Sequence, residues 1–310
     1  MRVTVAIPTY NRCALLRQTL EGIARQDYPA DRFETLVIDN NSRDDTARVV
    51  TELAASMPGV RRLLETKQGL DHARNRAIAE AKGDIIIFAD DDILVEPDWI
   101  AQMIAPFIGH PGEKIGAVGG EVIPVFPDGL PPWVAEWHSP LGFRKDAGPL
   151  SDLQCPMGAN LAFPCWVFKE FGTFHASLDR TAGSYFSGGD SEMIRRIRAA
   201  GMVVWFVPAA AVRHQMPASR TTFRYAARHA FDSARSRVID RAGRPDATRY
   251  LLSRIVVNLA KISAFSLVAL ASALIGRSGN AKKALVRAWR SCGYVFQSVL
   301  SLDHDTGYHP

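Results

Sequence analysis

None of the four cysteines, Cys13, Cys155, Cys165 and Cys292, forms a CxxC pair, so the 310 residues show neither a zinc-site spacing nor a disulfide framework. Reduced structural thiols of a cytoplasmic protein are expected. The first eight residues run straight into a strand-like segment and lack the long apolar stretch of a signal peptide, so no export is expected. There are no internal repeats. Glutamate is missing after Glu192, and from Arg213 to Arg290 sixteen Lys and Arg face only Asp232, Asp240 and Asp246. The net charge of +5 therefore joins a region of +13 to a remainder of −8. A basic region of this kind attracts either nucleic acid or an anionic membrane surface, and the apolar stretch inside it decides for the membrane. No nucleic-acid partner is expected.

The chain is 47% hydrophobic, enough for a large core as one domain or as a domain with an appendage. Its most informative junction is Ile85-Ile86-Ile87-Phe88-Ala89 followed by Asp90, Asp91 and Asp92. A continuous apolar run reads as a strand covered on both faces, as in parallel sheets. The acids then lie at its carboxyl end, where open α/β sheets bind ligands. Three adjacent carboxylates repel one another, and a divalent cation bridging phosphate oxygens would relieve them.

Around that junction, strands and helices alternate. Strands are expected at 3–7, 34–39, 60–64 and 85–89, and helices from Ala14 to Gln26, from the turn at 40–46 to before Pro58, and from Ala73 to Gly83. This pattern indicates βαβ units and a mostly parallel sheet with helices on both faces. A β-rich run from Gly116 to Val125 precedes a long loop at 127–150, where Trp133 and Trp137 offer flat apolar faces. Strands at 157–163 and 203–207 flank a short helix near 166–170 and a helix from Ser191 to Ala200 closed by Gly201.

Beyond Pro217 the chain turns basic and helical. Arg220, Arg224 and Arg228 recur every fourth residue, as on one face of a helix. Residues 255–275 are long enough to cross a bilayer, but Lys261 falls midway, so an in-plane helix is at least as well supported as a span. An ordinary helical hairpin packed on the catalytic domain is the third possibility. The expected division is 1–216 for a catalytic domain and 217–310 for a basic helical region.

Six motifs in order carry a resemblance: Pro8-Thr9-Tyr10-Asn11-Arg12, Val37-Ile38-Asp39-Asn40-Asn41-Ser42, Ala73-Arg74-Asn75, Gly83-Asp84 leading to Asp90-Asp91-Asp92, Gly158-Ala159-Asn160, and Gly188-Gly189-Asp190 with Arg196. Over residues 3–216 the chain resembles the family 2 glycosyltransferases of GT-A fold. Within that family it looks most similar to bacterial exopolysaccharide enzymes of the succinoglycan-type glucosyltransferase kind. The resemblance implies inverting transfer of one sugar from a nucleotide diphosphate sugar, usually a UDP sugar, with Mg²⁺ or Mn²⁺.

The resemblance also implies roles. Asp92 is the expected metal ligand, with Asp90 at the ribose or the metal and His214 as a further metal or diphosphate contact. Thr9, Tyr10, Arg12, Asp39, Arg74, Asp90 and Asp91 are expected around the nucleotide. Gly158, Ala159, Asn160 and Gly189 are expected to line the donor sugar and acceptor, although an acidic residue is common in the family where Gly189 stands. Asp190 is the expected general base, taking the acceptor hydroxyl proton; the competing expectation is a helix N-cap. The acceptor is expected to be a saccharide, lipid-linked, at the cytoplasmic face of the inner membrane.

Three rivals carry less. A processive polysaccharide synthase would have QxxRW and several spans, and Gln215 does not begin that pattern. A nucleotidyltransferase shares the acidic loop, whereas a phosphatase would need an aspartate pair after the first strand, where Pro8-Thr9-Tyr10 stands. A non-catalytic membrane scaffold would have no use for Asp190.

Overall fold

The computed structural model describes residues 1–57, 59–134, 142–175, 185–186, 188–242 and 246–303. They fall into two compact units, one of Met1–Val125, Pro140–Ala176 and Gly189–Gln215, the other of Phe126–Ser139, Ser177–Gly188 and Met216–Pro310.

In the first unit the continuous apolar runs become strands buried on both faces. Strands β1 (Val3–Thr9), β2 (Phe33–Asp39), β3 (Val60–Leu64) and β4 (Ile85–Ala89) pair in parallel, in the order β3-β2-β1-β4. Helices α1 (Cys13–Ala24), α2 (Thr46–Ala54) and α3 (Leu70–Glu80) make the crossovers that parallel pairing requires. Alternate residues of one strand enter different cores. Ile85 and Ile87 of β4 pack with Leu16, Leu20 and Ile23 of α1, while Ile86 and Phe88 pack with Ala73 and Ala77 of α3. This is why β4 tolerates no polar position: either face would bury it.

The remaining strands depart from the parallel pattern. They are β5 (Ile93–Val95), β6 (Ile115–Val125), β7 (Gly148–Pro149), β8 (Asn160–Pro164) and β9 (Val203–Gln215), with helices α4 (Trp99–Gly109), α5 (Cys165–Phe171) and α6 (Gly189–Ala199) between them. β8 runs antiparallel between β4 and β6, β9 is parallel to β6, and β5 and β7 are antiparallel to β9. The parallel reading therefore holds for the first four strands and for β6 with β9. The last strand continues to Gln215, eight residues past the expected end, because a register shift between Gly120 and Val122 lets β6 and β9 resume pairing after Pro208. Gly201, at φ +73°, closes α6: its N–H donates to Arg198 O and the Met202 N–H to Ile197 O, the paired bonds of a Schellman cap.

The second unit is helical. A short 3₁₀ turn (Ala218–Thr221) precedes α7 (Phe223–Ala242), α8 (Ala247–Leu274) and α9 (Ser278–Asp303), and α9 packs along both of the others. Gly293 permits the approach of α7, since a Cβ there would stand 2.3 Å from the Phe231 carbonyl oxygen. The expected Arg220-Arg224-Arg228 face is corrected: Arg220 lies in the 3₁₀ turn, and Thr222, extended, caps α7 by accepting the Tyr225 N–H at 3.2 Å. Trp133 is packed by Phe223 and by Lys282, whose Nζ lies 5.5 Å from the ring centre, and Trp137 lies outside the described residues.

Candidate active site

Sheet register assembles the site. β1 and β4 pair with Val3 beside Ile85, and the same offset carried past the strand ends sets Thr9 beside Asp91. Thr9 Oγ1 donates to Asp91 Oδ2 at 2.7 Å. On the other flank, the antiparallel pairing of β5 with β9 sets Ile93 opposite His214, and the Gln215 N–H donates to the Asp92 carbonyl at 2.8 Å. Residues far apart in sequence thus meet at the carboxyl end of β4.

The turn after β1 brings in a cation. Asn11 adopts the left-handed region at φ +53°, one that Asn tolerates better than most residues, and clips this turn to the one after β2. Its N–H donates to Ser42 Oγ at 3.0 Å, and its Oδ1 accepts the Arg43 N–H at 2.7 Å. Arg12, next in the chain, places Nη1 at 2.9 Å from Asp91 Oδ1 and 2.8 Å from Asp92 Oδ2. Burial pushes the Asp91 carboxyl up to about 6 against the pull of Arg12. Burial works against the Arg12 charge, but Asp91 and Asp92 outweigh it and hold the guanidinium above its ordinary value.

Asp90, Asp92 and His214 offer ligand atoms that all lie within 4.8 Å of one another. His214 Nε2 is 2.8 Å from Asp92 Oδ1 and 3.8 Å from Asp90 Oδ2. That nitrogen and Asp92 Oδ1 are both buried and close together without an aligned hydrogen bond, so a cation held between them would satisfy both. Two carboxylates and an imidazole suit Mn²⁺ well, whereas Mg²⁺ favours oxygen ligands alone. The residues fit a divalent cation.

A second cluster forms around Asp190 in the first turn of α6. Arg74 of α3, only 4% exposed, sets Nη1 2.8 Å from Asp190 Oδ1 and 3.2 Å from Asp71 Oδ1. Its guanidinium stacks 5.2 Å from the Phe174 ring centre and 5.9 Å from that of Phe88, two residues before Asp90. Burial opposes the Arg74 charge, and Asp190, Asp71 and Asp90 together raise it above the ordinary value. The Gly158 N–H donates to Asp190 Oδ2 at 3.1 Å, and a Cβ on Gly158 would fall 2.3 Å from that oxygen. A Cβ on Gly189 would fall 2.6 Å from Asp71 Oδ2. Asp190 lies inside the helix with both oxygens directed at Arg74 and Gly158, which is not the geometry of an N-cap.

Other expected site residues divide. Asp39 is buried: its Oδ2 takes both Nε and Nη2 of Arg62, and its Oδ1 accepts the Ser42 N–H at 2.8 Å. Tyr10 is half-buried beside Asn11. Asn160, expected at the sugar, has no exposed surface. Its Oδ1 accepts Trp99 Nε1–H at 3.0 Å, and its Nδ2 donates to the carbonyls of Glu121 and Ala210 at 3.1 and 2.7 Å. The side chain ties three segments together with its amide hydrogens used inside the fold, which favours a structural role over the expected sugar-lining one. Ala159 is buried beside it. Arg62 and Asp71 were not singled out from the sequence, although Asp71 stands three residues before Arg74 on a helix, a spacing that signals an ion pair.

The model of glycosyl transferase family 2 matches residues 4–170. The chain belongs to that family. It is 27% identical over 205 residues to the glycosyltransferase AglE of Haloferax volcanii, covering 66% of this chain and 64% of that one. It is 34% identical over 93 residues to the GalNAc(5)-diNAcBac-PP-undecaprenol beta-1,3-glucosyltransferase of Campylobacter jejuni, covering 29% of each. The chain thus spans less than two thirds of these family members. Among solved structures, the mannosyltransferase PcManGT from Pyrobaculum calidifontis, in complex with GDP-Man and Mn²⁺, superposes with a TM-score of 0.62 at 22% identity, over 96% of this chain and 86% of that one. That likeness establishes the GT-A fold.

Proposed function

We propose that this family 2 chain is an inverting glycosyltransferase, moving one sugar from a nucleotide diphosphate sugar, a UDP sugar in the first instance, to a lipid-linked saccharide acceptor. The observation that carries this reading is the placement, within one unit, of a cation-ready trio (Asp90, Asp92, His214) and a separately held carboxylate (Asp190), ion-paired to Arg74. Support comes from the relatives: PcManGT is described with GDP-Man and Mn²⁺, and the Campylobacter enzyme is named for a PP-undecaprenol substrate.

The proposed step is a single displacement. The acceptor oxygen bonds to the anomeric carbon while the bond to the diphosphate breaks, its electron pair leaving with the diphosphate. A divalent cation held by Asp90, Asp92 and His214 would supply charge to that leaving group. Thr9 and Arg12 fix the acid turn against its own repulsion. Asp190 takes the acceptor proton. Arg74 holds the Asp190 carboxylate in place through Nη1, which it shares with Asp71. The Gly158 N–H orients the second oxygen.

In this reading the basic second unit holds the protein at the cytoplasmic face of the membrane, where a lipid-linked acceptor is presented. The test is a screen of radiolabelled nucleotide sugars against membrane lipid extract, with and without EDTA. Metal-dependent transfer to lipid with inverted anomeric configuration supports the proposal; donor turnover that persists in EDTA removes the cation from it.

A further inference from the structure

Helix α8 is long and apolar enough to cross a bilayer, and most of its length is exposed. How it is joined to α9 bears on whether it does so. Gly276, at φ +74°, ends α8 in a Schellman cap: the Gly276 N–H donates to Ala273 O and the Arg277 N–H to Ser272 O. α9 begins at the next residue, Ser278, so three residues separate the helices and α9 folds back along α8. Lys282, Lys283, Arg287 and Arg290 lie five to thirteen residues past the turn, alongside the C-terminal half of α8. If α8 crossed the bilayer with α9 still packed on it, those cations would enter the hydrocarbon, where charge is costly.

The faces of α8 point the same way. Its seam holds Leu251, Asn258, Ala269 and Ser272, small or polar apart from one leucine, and Asn258 is 2% exposed with its Nδ2 bonded to Arg254 O at 2.8 Å. The outer face is the apolar one. Leu252, Val256, Leu259, Leu267, Leu270 and Leu274 are 52, 69, 51, 67, 59 and 79% exposed and form one stripe at spacings of three, four or eight residues, and Val257, Val268 and Ile275, also exposed, widen the apolar surface toward the side of Lys261. Lys261 is nine residues from both Leu252 and Leu270; at about 100° per residue it lies half a turn away from the stripe. From Ala247 to Leu302 there are eight Lys and Arg and no acid, which matches an anionic surface and not a second copy of the same basic face.

We infer that the α8–α9 hairpin lies in the plane of an anionic lipid surface, with the Leu252–Leu274 stripe down and Lys261 up, and does not cross it. This rests on the membrane reading above and adds the mode of attachment. An amphipathic helix of this kind binds by burying its apolar face at the level of the headgroups while its cations meet the phosphates.

The test is flotation of the full chain with vesicles of phosphatidylcholine containing phosphatidylglycerol, and with pure phosphatidylcholine. Wild type is expected to float with the anionic vesicles. Leu270→Lys, at an exposed position that disturbs no core, is expected to weaken flotation about tenfold, with Lys261→Leu as strong as wild type or stronger. In parallel, Ser278→Cys, in a chain whose four native cysteines are serine, is treated with a membrane-impermeant maleimide in intact bacterial cells. Labelling only after lysis is the expected result. Failure of wild type to float removes the membrane reading itself. Flotation unaffected by Leu270→Lys, or labelling of intact cells, leaves membrane association standing and overturns the in-plane hairpin.

Discussion

Arg74 and Asp190 form an ion pair of 2.8 Å between Nη1 and Oδ1, and the same nitrogen lies 3.2 Å from Asp71 Oδ1. One buried guanidinium therefore answers to two carboxylates on different elements, α3 and α6. Removing it would take from Asp71 and Asp190 the guanidinium they share. Arg74→Ala is expected to destabilise the protein by about 3–5 kcal/mol, the scale for breaking a buried pair, measured by chemical denaturation. Arg74→Lys keeps the charge and loses the planar fork, so it should retain most of the stability and lose activity.

Asp190→Asn is expected to leave nucleotide binding in the presence of Mn²⁺ nearly intact while slowing transfer about 10²- to 10⁴-fold, as loss of a general base does. Asp92→Asn and His214→Ala should weaken Mn²⁺-dependent binding of UDP itself. Titration calorimetry separates the two groups, and equal loss of UDP affinity in all three variants would remove Asp190 from the role of base.

Asn160→Ala strands the Trp99 indole N–H and the carbonyls of Glu121 and Ala210, which Asn160 now satisfies. Each buried group left unsatisfied costs about 1–3 kcal/mol, so the thermal midpoint should fall. A substantial rise in KM for the donor with no loss of stability would instead return Asn160 to the sugar.

Glu34 supplies a pH test. Burial raises its carboxyl pKa, but the Lys82 N–H, Arg61 and Thr4 Oγ1 outweigh burial and hold it below the ordinary value. A depressed carboxylate contributes stability that is complete above its unfolded pKa and is lost as pH falls through the folded one. Wild type should lose stability on acidification through and below the usual carboxylate range, and Glu34→Gln should flatten that part of the curve.

β4 could be read directly, because a strand buried on both faces shows as a continuous apolar run, and β1 and β2 could be read although they bury Thr4, Glu34 and Thr35. The carboxyl-end position of Asp90 to Asp92 followed from the same fact. The direction of β8 could not be read: the apolar run Leu161 to Pro164 looks alike whether it runs with β4 or against it. The role of Asn160 was hidden for a related reason. A buried amide tying loops together and an exposed amide meeting a sugar are the same letter, and only three convergent hydrogen bonds tell them apart. Arg62 and Asp71 escaped notice because their partners come from other elements or from a helical spacing that many surface pairs share. The α9 hairpin, in contrast, was within reach, since Gly276 stands between two helical patterns.

Manganese anomalous scattering from crystals grown with Mn²⁺ and UDP is the most direct test that a single cleft serves both the leaving diphosphate and the incoming alcohol. The expected map places one manganese against Asp90, Asp92 and His214, with the diphosphate beside it and the Asp190 carboxylate facing the same cavity. A manganese bound elsewhere, or a diphosphate on the face of the sheet away from Asp190, would contradict it.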